Sequence, residues 1–440
     1  MSWQSKRIGD FLTESSVEAV APSAERRLRV RLNAQGVEKR PLLSETEGAT
    51  RYFRRSAGQF IYGKQNLHKG AFGVVPDELD GFESSSDLPA FDVADGLRPK
   101  WLEYFLKHGA YYKSLVSIAR GAATKRIQPN ALFQMEMPIP LPKVQDEIIA
   151  RMDLCVIDNT KLELEITHQE SLLAKLKQAI LREAIQGKLT ANWRVAHPDV
   201  EPASQLLHRI QAEKTRLIAA KKLRPEKPLP KITPAEIPFE IPKDWKWCRF
   251  GSYARFERGK FSARPRNDSQ FFGGPYPFIQ IGSLDRQGSA ITLFTQTLNE
   301  AGLAVSKMFD AGTIAIAIVG GTIGNLGVLS RDMCFTDSVV GVRPSQLTNQ
   351  DFILLMLRSK QPEIQAVAYQ RSGQPNISLP NLTEILIPLP PFAEQAAIVT
   401  RVEALMTTCR ALESEIDRSR VHAVHLLQAV LKEAFAPVSF

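Results

Sequence analysis

The sequence predicts an α+β protein: two mixed, strand-rich domains separated by two long helices that pair as a coiled coil, built as an internal pseudo-two-fold repeat. Three observations predict it. A shift of 250 residues aligns Ile127–Ile185 with Ile377–Phe435 without a gap, with identity at 17 of the 59 positions. Each copy opens on a proline-bearing apolar segment and continues as a long helical pattern. The stretches preceding the copies differ in sequence but share short runs with strand character. Self-similarity at a fixed shift is the mark of a duplicated unit.

In chain order, residues 1–136 form the first domain. Within it Leu28-Arg29-Val30-Arg31-Leu32 alternates strictly, which places Arg27, Arg29 and Arg31 on one face of a strand. Residues 137–188 form the first helical segment. It starts from Pro138-Ile139-Pro140-Leu141-Pro142, where proline stops any helix and holds the preceding residue extended. Apolar residues then fall at Ile148, Met152, Cys155, Leu162, Ile166, Leu173, Leu176 and Ile180. This spacing makes a narrow coiled-coil seam rather than a broad buried face. Asn159 and Gln169 interrupt the seam, as polar residues do where register is fixed, and Gly187 stands where the helix should stop.

Residues 387–440 repeat the segment from Pro388-Leu389-Pro390-Pro391. Their seam runs through Ile398, Val402, Leu405, Cys409, Leu412, Ile416, Ala423, Leu426 and Val430, with a stop at Pro437. About 40 residues of helix make a rod of roughly 60 Å. A lone narrow-seamed helix cannot bury its stripe. The other copy is the obvious partner, and a second molecule is the alternative.

Between the copies lie a linker, residues 189–243, and the second domain, residues 244–386. The linker carries a helical stretch (Leu206-Leu207, Ile210, Leu217-Ile218) and a proline-rich run from Pro225 to Pro242 that favours extended backbone. Arg209, Lys214, Arg216, Lys221, Lys222, Arg224, Lys227 and Lys231 face only Glu213 and Glu226 there, as a solvated face or a phosphate contact would. In the second domain Gly312-Thr313-Ile314-Ala315-Ile316-Ala317 reads as a buried strand, followed by a glycine-punctuated turn from Gly320 to Gly327. The first domain has a weaker counterpart in Gly58-Gln59-Phe60-Ile61-Tyr62 and Gly70–Val75.

Composition sets the outer limits. Lys+Arg exceed Asp+Glu by 56 to 47, so the net charge of +9 admits a polyanionic partner. Cys155, Cys248, Cys334 and Cys409 are too scattered for a zinc site or a disulfide framework, and predict reduced thiols in a cytoplasm. Met1–Arg7 lead into no apolar segment and no apolar run reaches the roughly 20 residues of a membrane span, so neither a signal peptide nor a membrane partner is expected. Catalytic patterns fail on inspection. Gly58–Gln65 has the glycines and lysine of a phosphate-binding loop but Gln65 in place of the hydroxyl residue that holds magnesium. His422 and His425 lack a third ligand for a metal. No nucleophile elbow, amino-methylation run or nuclease set is present, and neither catalytic residues nor a bound cofactor or metal is expected.

Two unlike domains, each followed by a copy of one long helix, suit a reader of two separated half-sites. The chain resembles the specificity subunit of type I restriction-modification systems across essentially its whole length. The resemblance rests on Pro388–Gln395 entering a helix, Ala179–Thr190 leaving one, Ile241-Pro242-Lys243-Asp244-Trp245-Lys246-Trp247 opening the second domain, and the Gly-Thr-Ile-Gly turn at 321–324. At Lys143-Val144 the first copy departs from the pattern that the second keeps. The resemblance implies antiparallel helices that fix the spacing between two target recognition domains, each reading half of a bipartite, asymmetric double-stranded DNA target. It implies two methylation subunits that bring S-adenosylmethionine and modify adenine, and restriction subunits driven by ATP.

On such a reader, basic residues on phosphates supply affinity while arginine and amide side chains read base edges. The candidates are Arg54, Arg55, Lys64, Gln65, Asn66, His68 and Lys69 in the first domain, with Arg27, Arg29 and Arg31 behind them. In the second they are Arg258, Lys260, Arg264, Arg266, Asn267, Gln280, Thr322 and Asn325. Two other functions stay open at this point. A coiled-coil scaffold would bind proteins and not DNA, and an enzyme acting alone would modify DNA without added subunits.

Overall fold

The computed structural model describes residues 3–42, 51–121, 125–223, 225–369 and 375–435. Arg224 and Pro437, singled out above, lie outside the described residues. The chain divides into two units, residues 1–169 with 415–440, and residues 170–414.

The first unit is built on a four-stranded antiparallel sheet in the order Leu12–Glu14, Ala90–Val93, Phe60–Tyr62, Phe72–Val74. Phe60-Ile61-Tyr62 is buried throughout, because both faces of this strand are covered. The two-residue period sends Phe60 and Tyr62 into a cluster with Phe91, Trp101 and Leu102, and Ile61 into one with Leu28, Val75 and Ala90. The larger cluster takes in the helical segments as well, through Met152 and Leu431. Strand Leu28–Val30 pairs antiparallel with Val37–Lys39, and Tyr52–Arg54 with Glu83–Ser85.

The second unit carries a five-stranded sheet in the order Arg255–Arg258, Val339–Arg343, Ile314–Ala317, Leu326–Leu329, Ala290–Ile291. All pairs are antiparallel except the last. A second sheet of four strands packs its residues Ile279, Phe309, Met333 and Phe335 into a cluster with Ala315, Ala317 and Val339 of the first. Ile314–Ala317 is buried at every residue, as its unbroken apolar run requires. Helix Gln350–Tyr369 covers the unit with Phe352, Ile353, Leu355, Met356 and Leu357.

The repeat is visible inside each unit separately. The strand that ends a domain pairs antiparallel with the one that opens it: Glu136–Pro138 with Ser5–Arg7, and Leu386–Leu389 with Lys246–Arg249. Gln145 and Gln395, one repeat apart, are both fully buried. Gln145 donates to the carbonyl of Pro140 at 2.8 Å, and Gln395 to that of Pro390 at 3.2 Å. A buried amide must be bonded, and the same proline turn satisfies it twice.

The long helices span Pro142–Ile185 and Phe392–Ala434. In the second unit Lys177 pairs with Glu413 at 2.7 Å while Arg194, further along the chain, pairs with Glu394 at 2.6 Å. The two stretches there are therefore antiparallel. In the first unit Arg151 lies 4.0 Å from Glu433. The seam is narrower than the sequence spacing suggests. Burial falls on Met152, Ile166, Leu173 and Ile180, and on Val402, Cys409, Ile416 and Ala423, mostly one residue per heptad. Leu162, Leu176, Leu412 and Leu426, expected in the seam, are exposed by 38%, 44%, 46% and 62%. One helix face can meet only one neighbour, so these residues are left for another surface. Among the described residues no helix is long and apolar enough to cross a membrane.

Candidate nucleic-acid interface

In each unit the loops of interest leave one end of the central sheet. In the first, Phe60–Tyr62 runs into the segment 63–71, whose short helix Leu67–Lys69 turns back through Gly70 at φ +84° into Phe72–Val74. A Cβ on Gly70 would stand 2.6 Å from the backbone nitrogen of Ala34, so conformation and closeness both require glycine. The tip of the neighbouring hairpin is laced to this segment, Asn33 N–H donating to Lys69 at 2.8 Å and Ala34 N–H to Gly70 at 2.8 Å. Lys64, Gln65, Asn66, His68 and Lys69 are thus held together on one short loop.

Topology adds two cations that sequence alone did not single out. Ile127 N–H donates to the carbonyl of Lys64 at 2.8 Å, which sets Lys125 and Arg126 against the loop. Arg126 lies 3.8 Å from Asp87, and the Gln65 amide reaches the same carboxylate at 3.5 Å. Burial, then Lys69 and Lys125, hold the His68 imidazole below its ordinary pKa. It is therefore mostly neutral at pH 7, with a buried Nδ1 that has no partner among the described residues. The signal for Lys125 and Arg126 was their place next to Ile127, the first residue of the repeat. Only the fold shows what that residue binds.

Arg27 and Arg55 are not available to DNA, contrary to the sequence expectation. Arg27 is buried against Glu83 and stacks over Tyr52 with 3.2 Å to the ring centroid. It precedes the strand rather than sharing its exposed face. Arg55 is 2% exposed and donates to Ser84 Oγ at 2.8 Å and to the carbonyls of Ser15 at 2.8 Å and Leu88 at 3.2 Å. Burial lowers its pKa to about 10. Both arginines brace the loops from beneath. Arg55→Ala strands those acceptors and opens a cavity, and is expected to cost roughly 3 kcal/mol of stability in denaturant titration. Arg55→Lys will not restore it, because an ammonium cannot span three acceptors in one plane. A wild-type midpoint for Arg55→Ala would refute this assignment. Arg29 and Arg31 are exposed but share Glu38, whose pKa Arg29 holds down. Arg54 is exposed on a separate strand pair, against Gly81.

The second unit repeats the plan. Strand Ile314–Ala317 runs into the segment 318–325, and Ile377 N–H donates to the carbonyl of Ile318 at 3.0 Å, as Ile127 does to Lys64. Thr322 Oγ1 is buried without a partner among the described residues, and Asn325 donates to the carbonyl of Leu284 at 3.1 Å. That bond brings in the loop after Gln280, whose amide meets Gln296 at 2.7 Å. A second group gathers round Asp337. Arg266 grips its carboxylate at 2.7 and 2.9 Å, and Arg258 donates to its carbonyl at 2.6 Å. Lys260 and Asn267 are exposed beside them, and Arg264 is folded back on the carbonyls of Phe261 and Ala263. Ile318 N–H donates to Ser338 at 3.1 Å and so joins the two groups at one sheet end.

Such an arrangement sets cations suited to phosphates beside amides on short, well-tied loops suited to base edges. Known proteins similar to this chain are of one kind. Residues 242–418 match the type I restriction modification DNA specificity domain. The chain is 26% identical over 419 residues to the EcoAI specificity subunit of Escherichia coli, covering 83% of this chain and 68% of that one. It is 25% identical over 410 residues to the EcoKI specificity subunit of Escherichia coli strain K12, covering 85% and 77%. In fold it is similar to the HsdS subunit from Thermoanaerobacter tengcongensis, with a TM-score of 0.53 at 16% identity over 99% of this chain and 96% of that one. A chain from a structure of a type I R-M system, described for its complex assembly and conformational transition, gives 0.64 at 18%, covering 99% and 97%.

Proposed function

The chain belongs to the specificity subunits of type I restriction-modification systems, and from that premise we propose that each unit reads one half of a bipartite, asymmetric DNA target with the loops at its sheet end. The observation that carries the proposal is the repeated hydrogen bond from Ile127 to Lys64 and from Ile377 to Ile318. It fixes a polar loop at the same place in two domains of unlike sequence. A common scaffold with different loop side chains is what two different half-sites demand.

Division of labour follows from the chemistry. Lys64, Lys69, Lys125, Arg258 and Lys260 would neutralise phosphates, giving affinity that falls with salt. Gln65, Asn66 and Asn267 would discriminate bases, since amides match base edges in the major groove, whereas the Thr322 hydroxyl is buried and shapes the turn instead. Methylation and cleavage belong, in this reading, to partner subunits in the cytoplasm, with S-adenosylmethionine held by two methylation subunits and ATP used by restriction subunits. The exposed leucines of the long helices support docking of such partners, because apolar residues in rows on a helix serve an interface.

Genome-wide mapping of methylated adenine tests the proposal. Cells holding this chain with its methylation subunit should show a two-part motif that disappears when this chain is removed. Unchanged methylation, with the subunits present and assembled, would leave the helices as a scaffold and sink the proposal.

A further inference from the structure

Within the second unit a groove of about 860 Å³ lies between the first long helix and helix Gln350–Tyr369. Lys175, Arg182, Arg286 and Arg358 line it, and none of its lining residues is acidic. Lys175 and Arg182 stand seven residues apart, two turns along one helix face. Among the described residues Lys175, Arg182 and Arg286 have no carboxylate partner, whereas Arg358 lies 3.4 Å from Glu403 and also donates to the carbonyl of Gln287. Four cations around one concavity repel each other, and they are stable together only in water or against an anion.

The groove also connects to the loop assigned to base reading. The Gln361 amide, in its wall, donates to the carbonyls of Gly324 and Arg286, each at 2.9 Å. Gln365 donates to Ile323 at 3.2 Å. The same two side chains thus shape the groove and fix the turn at 323–324. In the first unit the position one repeat on from Ile185, another lining residue, is Phe435, which packs on Trp101 with ring centroids 4.7 Å apart.

We propose that this groove holds the DNA backbone where it leaves the half-site read by the second unit, with Lys175, Arg182 and Arg286 on phosphates of the sequence that is not read. The inference rests on the DNA-reading function above. Continuity with the 318–325 loop favours a nucleic-acid backbone over an acidic protein segment, because a backbone leaving that loop meets the cations next.

The test uses the chain assembled with its methylation subunits, on a duplex carrying the mapped motif and on one with both half-sites scrambled. In K175Q/R182Q/R286Q the slope of log affinity against log salt should become shallower by about 2 to 3, near 0.9 per lost contact. Affinity should fall by the same factor on both duplexes, and the methylated motif should stay the same. A wild-type slope in an intact complex overturns the inference, as does loss of the methylation subunits from the variant, which would assign the groove to an acidic partner segment. If wild-type complex fails to distinguish the two duplexes, the reading function itself has failed, a result separate from either.

Discussion

Alanine at both Gln65 and Asn66 is expected to relax one or two positions in the half-site read by the first unit and to leave the other half unchanged. Both side chains sit on a loop whose backbone is tied by Lys64, Lys69 and Gly70, and among the described residues the Gln65 amide meets only Asp87, at 3.5 Å. The substitutions therefore remove base-edge groups without removing what holds the loop. Each amide that pairs two-fold with a base carries about 1–3 kcal/mol of discrimination, so the double variant should accept formerly excluded bases by one to several orders of magnitude. Lys69→Ala is the contrast. It should weaken binding to all sequences alike and lower the salt slope by about 0.9. Methylation mapping of the three strains separates these outcomes. If the double variant keeps the wild-type motif and merely binds less well, the loop grips phosphates and the bases are read elsewhere.

The contrast between these residues and Arg27 or Arg55 marks the limit of what the sequence could tell. The repeat was legible because its constraints are local. Gln145 and Gln395 bond to prolines five residues back, so the turn and its glutamine lie within one short stretch of sequence. The buried strand Ile314–Ala317 was legible because its side chains are apolar on both faces. Arginine gives no such signal. Whether it faces solvent or a counter-ion depends on a carboxylate that can lie anywhere, and for Arg27 this is Glu83, 56 residues on. Lys125 and Arg126 were hidden for the same reason, since their neighbour Lys64 reaches them only through the fold. The leucines at 162, 176, 412 and 426 have the spacing of a seam yet lie outside it. Heptad spacing tells which residues share a face, and not which neighbour that face meets.

Glu394 joins three of the segments on which the family resemblance rests, and its loss should produce the largest change in stability. Its carboxylate is fully buried and accepts from Thr190 Oγ1 at 2.7 Å, Arg194 at 2.6 Å and Trp245 Nε1 at 2.8 Å. Arg194 also donates to the carbonyl of Gly187 at 2.8 Å, at the end of the first long helix. Gly187 itself, at φ +73°, could not carry a Cβ, which would stand 2.7 Å from Pro242. The exit from one helix, the opening of the second domain and the entry to the other helix therefore share one charge. The equivalent position in the first copy is Val144, so the knot belongs to the second copy. Glu394→Ala leaves a half-buried guanidinium and an indole N–H without an acceptor, at a cost of about 3–5 kcal/mol. Glu394→Gln keeps one acceptor oxygen but turns an N–H toward donors, and should fall between. Hydrogen exchange locates the effect: amides of 188–196 and 245–249 should exchange about a hundredfold faster in Glu394→Ala, while those of 60–74 in the first unit keep their rates. Equal acceleration in both units would mean that the knot stabilises the whole chain and not one unit. Unchanged exchange at 188–196 would mean that the helix exit holds its place without the carboxylate, and that Glu394 is spared for a partner.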